Sequence, residues 1–232
     1  MRIWDLNPGY LNRQSLLGEH RELHAIVSII INNKKGYSRH PETLRWKNFG
    51  WALNQRHRLL AAEMKLRGYV DRTPVLLKTQ NQKWPDIFVD PPVAQLSILA
   101  EKYKDKEPGR IPLPENVQKL WAQHKYSVMA RDVSEYKHIG RWVASSKTGN
   151  GISDLYPELL SMLRCPPGEG NLRNTVQHMW GYVSGFASLS GKAIERKTTR
   201  GLIAEIQRLA FLHNIVYLKE STALGELQAW IR

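Results

Sequence analysis

From Leu11 onward the apolar residues recur at helical intervals. At about 100° per residue, Leu16, His20, Leu23, Val27 and Ile30 share one stripe, and Ser15, Gly18, Arg21, Glu22 and Ala25 fall on the opposite side. The pattern predicts a helix that follows the Asn7-Pro8-Gly9 turn signal and stops near Asn32-Asn33-Lys34-Lys35-Gly36. A face meant only for solvent would carry long helix formers, because glycine costs about 1 kcal/mol against alanine in a helix. Gly18 and Ala25, set beside Arg21 and Glu22, therefore point to something that comes close.

The same periodicity predicts a short helix from His40-Pro41-Glu42 and a longer one over Phe49 to Arg67, burying Ala52, Leu53, Leu59, Leu60 and Met64, with Gly68 as its C-terminal cap. Between Tyr69 and Pro92 the pattern is lost: Pro74, Pro85, Pro91 and Pro92 make an irregular connection with a short strand candidate at Val75 to Leu77. Val93 to Lys104 reads as helix, and a Pro-rich stretch from Asp105 to Pro114 follows. These shifts divide the chain into a domain over 1–106, a linker over 107–118 and a second domain over 119–232. In the second, the spacing predicts a long helix from Glu115 to Ala144 that bends near Arg131 to Ser134, then a turn-rich loop over Ser145 to Ser153. Further helices are expected at about 153–164, 171–187, 190–212 and 221–231. The fold class is mainly α, in two helical domains, with no internal repeat or heptad register.

Charge changes the picture. The chain carries 34 Lys and Arg against 21 Asp and Glu, a formal net charge of +13, and the basic residues are spread along its whole length. A merely basic soluble protein is the plainer reading, but such an excess favours an anionic polymer as partner without choosing DNA or RNA. The single cysteine, Cys165, excludes an internal disulfide framework or thiolate zinc cluster and suits a reducing cytoplasm. The longest greasy run, Ala25 to Ile31, falls far short of the ~18 residues a span needs, and the N-terminus lacks the apolar core of a signal peptide. A cytoplasmic protein with no membrane partner is expected.

Some superficial motifs are set aside. His20-Arg21-Glu22-Leu23-His24 approaches a metalloprotease helix, yet its glutamate stands one place late, and both histidines project toward the apolar stripe, so they read as packed. His40, His57, His124, His138, His178 and His213 show no metal-ligand spacing, and neither metal nor other cofactor is expected. Gly168-Glu169-Gly170 lacks the strand before it and the Lys-Ser or Lys-Thr after it that a phosphate loop needs; it is a turn.

What survives is the conjunction of Arg2-Ile3 with Leu16-Leu17-Gly18-Glu19-His20-Arg21-Glu22-Leu23 on a helix, continued by Arg39-His40 and by Arg56, Leu60, Glu63 and Arg67-Gly68-Tyr69. This set resembles the pyrimidine-dimer DNA glycosylases, the endonuclease V-like helical repair enzymes, over about residues 1–100. The resemblance implies a glycosylase and abasic-site (AP) lyase acting on damaged double-stranded DNA. A free α-amine at the chain start attacks the sugar C1′, expels the base and forms a Schiff base, and β-elimination then cuts the strand. An α-amine is a weaker base than a lysine side chain, so more of it is unprotonated at neutral pH without deep burial. By this resemblance the catalytic residues are Met1, through its retained amine, and Glu22, which stabilises the cationic sugar and shuttles protons. Arg2 and Arg21 match phosphate-binding arginines, and Arg13, Arg39, His40 and Arg56 join them as DNA-binding candidates. Ala25 stands where the family has a further DNA-contacting arginine, and the family's aromatic C-terminal tail is replaced by a whole domain.

Tyr126, Met129-Ala130, Tyr136, Gly140 and Val143-Ala144, followed by Pro166-Pro167, Gly170, Asn174, Gln177-His178, Gly181-Tyr182 and Arg200-Gly201-Leu202-Ile203, are similar to the YbgA-type domain of unknown function, over about residues 120–215. Asn174, Gln177, His178 and Tyr182 lie near one side of a helix. With Tyr126 they form a candidate second site that reads a base or binds a phosphate, or else a buried polar network. Two readings from other classes stand beside the repair enzyme: a non-enzymatic nucleic-acid-binding protein and an RNA-modification factor.

Overall fold

The computed structural model describes residues 1–77, 82–146, 151–187 and 196–231, and its described residues form eleven α-helices and two short 3-10 turns, with no β-strand among them. The mainly α expectation is met. The chain divides into two compact units, Met1–Gly109 and Arg110–Arg232.

The first unit holds α1 (Arg13–Asn32), α2 (Pro41–Trp46), α3 (Gly50–Leu66) and α4 (Pro92–Lys102). Asn12 caps α1 by accepting the Ser15 N–H at 2.9 Å, and Asn33 ends it in a left-handed conformation, φ 48°. The inward face of α1 is Leu16, Leu23, Ile26, Val27 and Ile29, packed against α3 through Leu53 and Leu60. Ser15, expected on the outer side, is buried, and Ile30 is only half-buried. The cause is the N-terminal segment, whose Ile3, Trp4, Leu6, Tyr10 and Leu11 are buried and whose backbone reaches Glu19 on α1, widening the covered face. Gly68 adopts φ 80° after α3, as a cap should. The strand candidate at Val75 to Leu77 is extended chain without a strand partner: the Asn54 side chain accepts the Leu77 N–H and donates to its carbonyl, both at 3.1 Å.

The second unit holds α5 (Val117–Met129), α6 (Val133–Ser145), α7 (Gly151–Leu163), α8 (Glu169–Trp180), α9 (Thr199–Leu212), α10 (Val216–Lys219) and α11 (Ala223–Trp230). Helix α5 is central, packed by α6, α7, α8 and α11. The long helix expected over 115–144 is broken rather than bent. Asp132 starts α6 by accepting the Ser134 and Glu135 N–H groups at 2.7 and 3.0 Å. Arg131, in the break, donates to the carbonyls of Ser127, Leu163 and Cys165 and pairs with Glu226 at 2.6 Å. The 171–187 helix is shorter, ending at Trp180 before a 3-10 turn, Ser184–Phe186, and α10 has no counterpart in the sequence reading. Parts of the loop expected over 145–153 and of the helix expected over 190–212 lie outside the described residues.

The stretch read as a linker is taken up by packing on both sides. The Glu107 carbonyl accepts from Asn12 in the first unit, while Ile111 is buried and the Pro112 carbonyl accepts from Gln123 in the second. At Gly109 a Cβ would lie 2.4 Å from the Tyr10 carbonyl oxygen, so only glycine fits there.

Candidate functional site

Four consecutive backbone N–H groups at the chain start are received by four side chains from three helices. The Arg2 N–H donates to Glu22 at 2.5 Å, those of Ile3 and Trp4 to the carboxylates of Glu42 and Glu19, and that of Asp5 to Gln95 at 2.9 Å. Carbonyls of the same segment are held by arginines of α3 and its C-terminal cap: Arg56 donates to Leu6 at 2.7 Å, and Arg67 to Pro8, Gly9 and Leu11. A segment with no regular structure of its own thereby has its polar groups satisfied in a buried setting. The result is a fixed course for residues 2–5 beside the helix that carries Glu22.

The supporting carboxylates are themselves neutralised. Glu19 is 2 % exposed and forms a two-pronged pair with Arg56 at 2.7 and 2.8 Å; burial, opposed by that arginine, raises its pKa to about 7. Glu42 is likewise pushed up by burial against the pull of Arg45, and accepts from Trp46 at 3.0 Å. Arg45 also pairs with Asp5 and donates to the Ile87 carbonyl at 2.6 Å.

On the outer side of α1, Glu22 is half-buried and Arg21 and Ala25 are exposed, and a Cβ at Gly18 would meet no heavy atom within 4 Å among the described residues. Gly18 is thus not demanded by packing and leaves open space near Glu22. The Arg2 side chain lies over Trp4 and pairs with Asp90 at 2.8 Å, still partly exposed. Arg13, in the first turn of α1, and Arg39 are exposed. Two other candidates have structural roles: His40 caps α2 by accepting the Glu42 N–H at 3.2 Å, and Arg56, 4 % exposed, is turned inward onto Glu19 and Leu6. Arg56 is therefore a strut of the N-terminal segment, not a surface contact for DNA. Helical spacing alone could not separate these arginines, because the inward side of α3 also takes Gln55, His57 and Glu63.

A cluster that spacing along the chain did not reveal lies on the flank of α1. His20 and His24 from α1, His57 from α3 and Asp71 from the chain after α3 bring one ligating atom each within 4.8 Å of one another. The histidines read as merely packed face each other: His20 Nε2 is 3.3 Å from His24 Nε2 and 3.3 Å from Asp71 Oδ1, and His57 Nε2 is 3.4 Å from Asp71 Oδ2. Burial lowers His57 to about 4, and burial and then His20 lower His24. Burial acts to raise Asp71, but the Thr73 N–H and hydroxyl, with His57 and His20 beyond them, outweigh it and leave the carboxyl below its usual range. Only i, i+4 histidines on α1 hinted at this cluster; the other two members come from separate elements.

In the second unit Asn174, Gln177 and His178 are exposed on α8, and Tyr182 follows at 43 % exposure, so this row is a surface and not a buried network. Tyr182 stacks on Tyr217 with ring centres 4.7 Å apart, and Tyr126 meets both edge-on at 6.4 and 6.3 Å. Lys125 stands over the Tyr217 ring at 4.9 Å. Tyr126 is raised by burial and its hydrogen bond with Tyr182, which lowers Tyr182 in turn. Trp180 is core, at 8 % exposure.

Residues 1–77 match the family described as pyrimidine dimer DNA glycosylase, and residues 125–224 match a family described as a protein of unknown function, DUF1722. The two follow one another in the order that the sequence resemblance implied. No curated protein and no solved structure matches the chain. The first match takes in Glu19, Glu22, Glu42 and Arg56; Asp90 and Gln95 lie beyond it. Among the described residues no helix is long and apolar enough to cross a membrane.

Proposed function

We propose that the first unit is a cytoplasmic DNA-repair glycosylase and abasic-site lyase for UV-type pyrimidine damage in double-stranded DNA. The observation that carries this is the Glu22 carboxylate on the Arg2 N–H at 2.5 Å, one residue from the Met1 amine. That amine attacks the sugar C1′; the C1′–N bond to the base breaks as the C1′–amine bond forms, and cleavage of the C1′–O4′ bond, whose oxygen takes up a proton, then opens the ring and leaves a protonated Schiff base. Glu22 offers negative charge to the cationic sugar and accepts the proton that β-elimination requires. Arg21 and Arg13, exposed on α1, Arg39, and Arg2 beside Asp90 supply positive charge for the phosphates. Extrusion of a nucleotide to reach the sugar costs least at a damaged, poorly stacked site, and the space over Gly18 leaves room for the backbone to approach.

Borohydride trapping on an abasic duplex tests the chemistry. The expected result is a covalent adduct mapped to Met1 and strongly reduced in Glu22→Gln. No adduct, an adduct on a lysine, or equal inertness of wild type and Glu22→Gln on UV-irradiated, abasic and undamaged duplexes refutes it.

The second unit is proposed as an accessory nucleic-acid-binding module, on the exposed row Asn174, Gln177, His178 and Tyr182 next to the tyrosine cluster with Lys125. Amide and imidazole groups reach phosphates or base edges, and Tyr182 offers a ring for stacking. His178→Ala should weaken binding to DNA with unchanged thermal stability; unchanged binding removes this row from the interface.

A further inference from the structure

We infer that His20, His24, His57 and Asp71 form a four-ligand site for one divalent ion of the zinc class, fastening the chain after α3 onto α1 and α3. The inference stands on geometry within the first unit and does not rest on the glycosylase reading. Zinc held by imidazole nitrogen at about 2.0–2.1 Å and carboxylate oxygen at about 2.0–2.2 Å in a tetrahedron sets neighbouring ligand atoms about 3.3 Å apart. Three contacts of the cluster already have that length, His20 to His24 at 3.3 Å, His20 to Asp71 Oδ1 at 3.3 Å and His57 to Asp71 Oδ2 at 3.4 Å, the last two to different oxygens of one carboxylate, and one ligand atom from each of the four residues lies within 4.8 Å of the others. Each of these contacts uses Nε2, so the three rings present the same atom to one point. His57 is 4 % exposed, and its Nε2 is sealed from water with no hydrogen-bond partner among the described residues. A buried nitrogen left in that condition costs free energy unless something else satisfies it.

The donor set also selects its ion. Three imidazoles and one carboxylate suit first-row divalent metals and contain no thiolate for softer ones, while too few oxygens are present for calcium or magnesium. The surroundings add what metal sites usually have outside the ligands. Thr73 donates its hydroxyl to Asp71 Oδ1 at 2.8 Å and its N–H to the same oxygen at 3.0 Å, holding the carboxylate in place. The location argues for a structural ion. Glu22 is two residues from both His20 and His24, about 200° around the helix from each, so the cluster and the outer face of α1 are separate. Four protein ligands also close the coordination sphere, unlike a catalytic zinc with an open position.

The test uses the full chain, stripped with a chelator and dialysed. Titration with Zn2+ should show one ion bound per chain, with a rise in melting temperature, and Co2+ should give the intense visible absorption of a tetrahedral nitrogen and oxygen site. His24→Ala and Asp71→Asn should each weaken Zn2+ binding by more than about 100-fold, beyond the 10–100-fold typical of residues that only support a ligand, whereas His213→Ala in the second unit should leave it unchanged. Circular dichroism of the metal-free variants shows whether they fold. Substoichiometric Zn2+ in the wild type, a weak octahedral Co2+ spectrum, or unchanged affinity in folded His24→Ala and Asp71→Asn overturns the inference. If a variant does not fold, the wild-type stoichiometry and Co2+ spectrum decide. Borohydride trapping by the stripped protein reports on the amine chemistry separately.

Discussion

Arg2 gives Glu22 its backbone and Asp90 its side chain: the N–H lies 2.5 Å from the Glu22 carboxylate and the guanidinium 2.8 Å from Asp90. The first contact ties the chain start to α1, and the second leaves the arginine partly open to solvent. Glu22→Gln keeps an acceptor for the N–H while removing the charge. It should fold normally and lose about 10²- to 10⁴-fold in cleavage of UV-irradiated duplex, the range for a lost proton-transfer group. Melting curves and single-turnover cleavage check the two halves of that statement.

A short peptide added ahead of Met1 moves the amine while leaving the N–H groups of residues 2–5 in place. The expected outcome is complete loss of borohydride trapping, with DNA affinity and melting temperature close to those of the unextended chain.

Arg56→Ala should be severely destabilising, by about 3–5 kcal/mol, because it leaves Glu19 charged or protonated in a buried setting without its partner and withdraws the donor from the Leu6 carbonyl. Glu19→Gln combined with Arg56→Met should recover part of the loss. Urea denaturation measures both, and a loss confined to DNA affinity would return Arg56 to the DNA-binding set.

Gly18 distinguishes packing from approach. With no heavy atom within 4 Å of a Cβ there, Gly18→Ala should stabilise the chain by about 0.5–1 kcal/mol. Gly18→Trp should fold yet lose DNA affinity, as read by fluorescence anisotropy.

His124, fully enclosed on α5 beside Tyr156 and accompanied by Glu226, is lowered by burial to about 4. Its unfolded value is near 6.5, so the unfolded chain takes up the proton first as pH falls. The stability it contributes is therefore complete above about pH 6.5 and is lost on acidification toward pH 4, by about 3 kcal/mol in all. His124→Phe should flatten that part of the stability profile in urea titrations of the second unit's transition.

The helices of the first unit were legible because their apolar spacing is regular and their ends carry Asn, Pro and Gly signals: Asn12, Pro41 and Gly68 all sit at boundaries. Glu22 and Arg21 are candidates through the small residues around them and the family resemblance. Arg56 was misplaced because a charged residue in a basic helix resembles a surface residue until its partner is known, and Glu19 lies 37 positions away. Asp71 and His57 were missed for the same reason: a cluster assembled from three elements leaves no fixed interval along the chain. The break at Arg131 looked like a bend because the amphipathic spacing continues through it; only the carbonyls to which Arg131 donates make the interruption visible.

The hold on residues 2–5 is made through main-chain N–H groups, which every residue except proline possesses. The buried side chains of Ile3, Trp4 and Asp5 constrain identity here, and the N–H ladder adds a separate constraint: inserting or deleting one residue shifts every donor onto the wrong acceptor. The reach of the segment onto α1 is thus set by the number of residues it contains as much as by the side chains it buries.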